Sequence, residues 1–285
     1  GAGFDIIAGS TPALKTYDPV NDLWIGVANT ASLPLYNKKG YFLFVRGDRT
    51  VTSASAPATT TTLRSTGKLF VPVTNPPPST TVLSGKFESV GNPYASAIDF
   101  LNLSISPGID TVFYVWDPLL TGSNGFGGYQ VISKVTGYKP TPGGTANYSN
   151  STAYTKIQSG QAFFVHSTSG GGTVSFSESA KISGSDLVYK GNQLNNGIGN
   201  NPVNIRRMFT AQLYNAAGNI TDANVVAFSN AYSNGYEAND ALKMYNGGEN
   251  FAIKNNNRIL VIDARANILR SDTIQFAMSN IKQQT

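Results

Sequence analysis

Lys15-Thr16-Tyr17-Asp18-Pro19 returns further along the chain as Tyr114-Val115-Trp116-Asp117-Pro118. Each is followed by a glycine and an apolar run. The first run is Gly40-Tyr41-Phe42-Leu43-Phe44-Val45 and the second is Gly160-Gln161-Ala162-Phe163-Phe164-Val165. Two motifs repeated in the same order mark an internal duplication. Aromatic-Asp-Pro suits a strand end, where the ring packs inward, Asp caps the turn and proline stops the ladder. Glycine ahead of a buried strand permits a sharp approach that a side chain would block. A third correspondence joins Gly67-Lys68-Leu69-Phe70-Val71 to Gly172-Thr173-Val174-Ser175-Phe176. The two copies then span about 14–78 and 112–185.

Working outward, strand patterns fill the rest. Ala162–Val165 and Ile259-Leu260-Val261-Ile262 are continuous apolar runs, as for strands buried on both faces. Val174 and Phe176 alternate inward, and Ile274, Phe276 and Met278 form a last alternating strand. Val203, Ile205, Phe209, Ala211 and Leu213 share one parity. Asn92-Pro93, Gly143-Gly144 and Gly170-Gly171-Gly172 punctuate them as turns. Helix is limited to about one turn near 96–101 and another near 237–242. Glycine supplies 29 of the 285 residues, and charged residues 13%, about half the usual share. The fold expected is all-β, with two β-sandwich-like domains. The first is 1–190 and holds the duplication. A polar linker at 191–202 leads to a smaller sandwich at 203–285.

The second copy is the longer, mostly through the loop 122–151. Loops on a rigid sheet are where binding concentrates. Tyr129, Tyr138, Tyr148 and Tyr154, within 122–154, are therefore the candidates for stacking on sugar rings. Trp116 is expected to be core, since Tyr17 is its repeat partner.

Other chemistries find less support. The net charge of +5 comes from scattered residues, and the tightest basic pairs are Lys38-Lys39 and Arg206-Arg207, so no nucleic-acid patch forms. Zero cysteines exclude disulfides, thiolate metal sites and cysteine nucleophiles. No apolar run approaches the roughly 18–20 residues of a membrane helix, so no transmembrane segment is expected. His166, the one histidine, lacks a G-x-S-x-G elbow and reads as a strand-end surface residue. Asp18, Asp22, Asp117 and Asn124 read as turn caps, with structural calcium the alternative. Arg46-Gly47-Asp48 reads as a turn rather than a recognition tripeptide. No catalytic residue, cofactor or metal ligand is assigned, and the chain is expected not to be an enzyme.

Three segments in order carry a resemblance. They are Val90-Gly91-Asn92-Pro93-Tyr94-Ala95-Ser96-Ala97-Ile98-Asp99-Phe100, then Tyr114–Pro118, then Ile157-Gln158-Ser159 leading into Gly160–Val165. This series resembles the C-terminal β-rich region of large Bacteroidetes surface proteins exported by the type IX secretion system. The resemblance runs from about Thr11 to Asn280. In such proteins a sorting domain follows, and here the sequence stops at Thr285, so an excised or shortened segment is expected. The resemblance implies a secreted or outer-membrane location and a structural, adhesin-like role. Partners would be other domains of the same parent chain or extracellular polysaccharide. The alternative is a carbohydrate-binding module built on loop 122–154.

Overall fold

The structure, a computed structural model, describes residues 12–28, 35, 38–45, 62, 67–71, 76–120, 125, 127–143, 154–168, 170–184 and 207–282. The fold is all-β. The first copy supplies β1 (Leu14–Asp18), β2 (Leu23–Gly26) and β3 (Tyr41–Leu43). Next come β4 (Ser79–Val82), β5 (Phe87–Gly91), β6 (Ile98–Asp99) and β7 (Ser104–Ile105). The second copy contains β8 (Ile109–Asp117), β9 (Gly128–Ser133), β10 (Lys156–Ile157), β11 (Ala162–Ser167) and β12 (Gly172–Ser175). The last block holds β13 (Arg207–Tyr214), β14 (Ile220–Phe228), β15 (Ala241–Leu242), β16 (Asn250–Asn255), β17 (Arg258–Arg265) and β18 (Gln275–Ser279).

A central sheet runs β5-β11-β8-β9. One face packs on the sheet β4-β12-β7 through Val90, Phe113, Phe163 and Val165 against Val82 and Val174. The other face carries Val112, Tyr114, Val131 and Phe164. It is covered jointly by Tyr17 of the first copy and by Val225, Ala227, Val261 and Ala264 of the last block. Burial on both faces explains why β11 reads as a continuous apolar run instead of an alternating one.

The duplication is visible in the topology. The first copy orders its strands β2-β1-β3, and the second repeats this as β9-β8-β11. Tyr17 pairs with Trp24 as Trp116 pairs with Tyr129. Lys15 faces Phe42 as Tyr114 faces Phe164. The equivalent of Phe164 is therefore Phe42, not Phe44, and the string match is two residues out of register. Burial explains the difference. Phe44 is 60% exposed, whereas Phe164 is 5% exposed. The two glycines also differ in role. A Cβ on Gly40 would lie 1.9 Å from the Ser89 hydroxyl oxygen, while Gly160 adopts φ +72° in open space. Gly40 answers to a steric need and Gly160 to a conformational one.

The third correspondence does not hold. Residues 67–71 form no ladder, and β12 pairs instead with β4 and β7. Phe70 still turns inward while Leu69 and Val71 face solvent. Val174 and Phe176 are fully buried, in line with their alternation. Among the described residues, helix is confined to short 3-10 turns such as Phe100–Asn102 and Lys134–Thr136. The first lies at the end of the stretch expected to turn. Near 237–242 the chain makes a turn, closed by the Glu237 N–H on the Asp240 carboxylate at 2.7 Å, and then enters β15.

The last block is one six-stranded sheet, in which β15 joins the path β13-β14-β17-β16-β18 by pairing with β17. Its facing layer comes from the central sheet. The Tyr114 hydroxyl donates to the Leu242 carbonyl at 3.0 Å, and the Tyr129 N–H donates to Asn246 Oδ1 at 2.9 Å. Leu120 packs on Ile220 and Ala223. The polar stretch 191–202 lies outside the described residues.

Candidate functional site

The repeated Asp-Pro motifs cap their turns alike. Asp18 Oδ1 accepts from the Val20 N–H at 2.9 Å, and Asp117 Oδ1 accepts from the Leu119 N–H at 2.9 Å. Asp18 also takes the Asn21 amide at 2.8 Å, which holds its carboxyl below the ordinary value. Asp22 accepts from the Tyr17 hydroxyl. Among the described residues no group of three His, Cys, Asp or Glu is placed to hold a metal, and Asn124 lies outside them.

Between the caps the two copies meet in one aromatic cluster. Tyr17 of the first copy meets Phe164 of the second edge-on at 4.9 Å and 90°. The reciprocal pair, Trp116 with Phe42, meets at 4.9 Å and 87°. Within the copies, Tyr17–Trp24 at 5.5 Å matches Trp116–Tyr129 at 4.9 Å. Trp24–Phe42 at 5.4 Å matches Tyr129–Phe164 at 5.8 Å. Trp24 and Tyr129 are equivalent positions. Contacts in which i meets j and j meets i are those of a two-fold interface. The duplicated unit thus closes on itself as a pseudo-dimer within one chain. Burial pushes both the Tyr17 and Tyr129 phenols up, so both stay protonated.

The structure places the candidate tyrosines apart. Tyr129 is not a loop residue. It sits on β9, 6% exposed, because Gly128-Tyr129-Gln130-Val131-Ile132 continues the hairpin from β8. Tyr138 occupies a left-handed turn and packs into the cluster on the opposite face of the central sheet. Tyr154 is half-buried, and burial raises its phenol. Tyr148 lies outside the described residues. Tyr129 and Tyr138 therefore do not line one groove.

His166 is also corrected. It is 3% exposed, and its Nδ1 lies 2.7 Å from Asp110 Oδ2 beneath the Phe87 ring. The residue ends an apolar run because its buried polar face finds a carboxylate, not water. Arg46-Gly47-Asp48 lies outside the described residues.

Two polar features escape a reading by sequence. Lys243 and Asp222 form a buried ion pair at 2.5 Å, with side chains 2% and 0% exposed. Burial pulls the Lys243 ammonium below its ordinary value against the attraction of Asp222. The flanks Leu242 and Met244 are the one local hint, since a lysine between two apolar residues continues a covered segment. The second feature is a cavity of about 430 Å³ at the edge of the sandwich, lined by Lys38, Lys39, Phe70, Ser79, Thr80 and Glu88. Burial carries the Glu88 carboxyl up to about 7, against the Ser89 N–H and Lys39, which favour its charged form.

These layers define an all-β module whose sheets share their cores. A family model described as a domain of unknown function (DUF8693) matches residues 10–285, and the chain belongs to that family. No curated protein and no solved structure matches the chain.

Proposed function

We propose that this chain is a non-enzymatic structural and adhesion-type module of a larger bacterial surface protein. The observation that carries the reading is the joint cover of the central sheet. The first copy and the last block both pack on the face that bears Tyr114 and Phe164. Force applied along the chain then meets interlocked layers instead of a string of separate domains. Export and surface location rest on the Bacteroidetes resemblance of 90–100, 114–118 and 157–165. Met208, Phe209, Phe276 and Met278, each at least 39% exposed on the outer strands β13 and β18, offer apolar area for neighbouring domains of a parent chain.

Single-molecule force spectroscopy, with handles at the two chain ends, tests the reading. The expected trace shows one rupture that releases the full folded length. Early, low-force release of 207–282 as a separate step contradicts it. Polysaccharide binding by loop 122–154 does not draw on Tyr129, which lies in the core.

A further inference from the structure

The cavity at the sandwich edge has the size of a small-ligand site. Its parts come from separated stretches. Lys39 bridges to Val90 across the edge of β5, so Lys39 and Glu88 are diagonal neighbours on one face. Lys38 Nζ donates to the Ser79 carbonyl at 2.6 Å, and the Thr80 hydroxyl donates to the Lys38 carbonyl at 3.3 Å. These bonds fix the two lysines against β4. The Lys38 ammonium has three N–H donors, of which Ser79 takes one. The Lys39 ammonium lies near the Glu88 and Asp18 carboxylates. Phe70 stands over the cavity, its ring set edge-on against Tyr94 at 5.6 Å.

The chemistry is that of a ligand with three properties at once. Lys38, Lys39 and Glu88 line the cavity and Asp18 lies beside Lys39, so two ammonium groups face one charged carboxylate when Glu88 is neutral, and an anion is favoured. The Phe70 ring asks for a flat apolar face. The Thr80 hydroxyl and the Glu88 carboxyl suit hydroxyl groups. An inorganic anion leaves Phe70 unused, and a neutral sugar makes no ion pair with Lys38. We propose that this cavity binds a uronic-acid unit of an acidic polysaccharide, its carboxylate on Lys38 and Lys39 and its ring face on Phe70. The proposal goes beyond the structural role, and its test is read separately from any mechanical response.

Glu88 makes the binding depend on pH. Lys39 faces it from the segment before β3, and Asp18 and Tyr17 couple to it from the first copy. With its carboxyl near 7, Glu88 is neutral below that pH and negative above it. A negative Glu88 repels the ligand carboxylate, so affinity falls as pH rises through about 7.

Calorimetric titration with trigalacturonate at pH 5.5 and 8.5 tests this, beside neutral xylotriose and inorganic phosphate. Trigalacturonate is expected to bind about tenfold more tightly at the lower pH. Lys39→Gln is expected to weaken it by about tenfold. Glu88→Gln is expected to keep binding and remove the pH dependence. Phe70→Ala weakens trigalacturonate and leaves phosphate unchanged. Absence of trigalacturonate binding, equal binding of xylotriose, binding of phosphate as tight as trigalacturonate, or an unchanged pH dependence in Glu88→Gln overturns the proposal. Retention of the wild-type melting temperature in each variant separates site loss from misfolding.

Discussion

Asp222→Ala is expected to destabilise the folded chain by about 3–5 kcal/mol, the cost of leaving a buried charge uncompensated. Asp222 Oδ2 takes both the Lys243 ammonium at 2.5 Å and the Phe251 N–H at 2.7 Å. Its Oδ1 takes the Ala223 N–H at 2.9 Å. Truncation strands all three donors in a region where both side chains are excluded from water. Lys243→Met is expected to cost less, because Asp222 keeps its two backbone donors and the thioether fills a similar volume. A sign follows for pH. In Asp222→Ala the lysine loses its stabilising partner, so its folded pKa drops further below the unfolded one. Stability of that variant then rises with pH, as the unfolded state stops binding the extra proton. Urea unfolding at pH 7 and pH 9.5 measures both effects. A loss below about 1 kcal/mol at pH 7 contradicts the assignment.

Phe164→Ala is expected to cost about 3–5 kcal/mol, the range for a large aromatic removed from a core. Phe164 touches Tyr17 at 4.9 Å, Trp24 at 5.6 Å and Tyr129 at 5.8 Å, and so it ties the two copies together. Its pseudo-symmetric equivalent, Phe42, is half-buried, and Phe42→Ala is expected to cost less. The symmetry also makes a paired statement. Double-mutant cycles on Tyr17/Phe164 and on Trp116/Phe42 are expected to give similar couplings, each about 0.5–1.5 kcal/mol. Urea titration of the single and double variants supplies the values. A coupling near zero for one pair, with the other intact, contradicts a two-fold interface.

The sequence carried more of the fold than of the site. Aromatic-Asp-Pro named the duplicated hairpins, because strand end, cap and stop are local events that neighbouring residues decide. The β2-β1-β3 and β9-β8-β11 arrangement repeats for the same reason. Register was not legible. The glycines at 40 and 160 align as letters, but register follows which ring reaches the facing copy, and that makes Phe42 the equivalent of Phe164. Burial of a polar residue was equally hidden. His166 ends an apolar run and reads as exposed until Asp110, distant in sequence, is brought to 2.7 Å. Tyr129 was drawn into the loop by its glycine-rich surroundings, although it is the second residue of a strand. Lys38-Lys39 stood out only as a basic pair. Their meeting with Phe70 and Glu88 depends on the chain crossing from one sheet to another, where Lys39 bridges to β5 and Tyr41 pairs with β1.

Differential scanning calorimetry of the whole chain addresses the shared core most directly. If the pseudo-dimer and the last sheet are held by one set of buried contacts, heat unfolds them together. The expected result is a single transition with a van't Hoff enthalpy equal to the calorimetric one. Two resolved transitions, or a van't Hoff enthalpy well below the calorimetric value, would show separate domains and contradict the account.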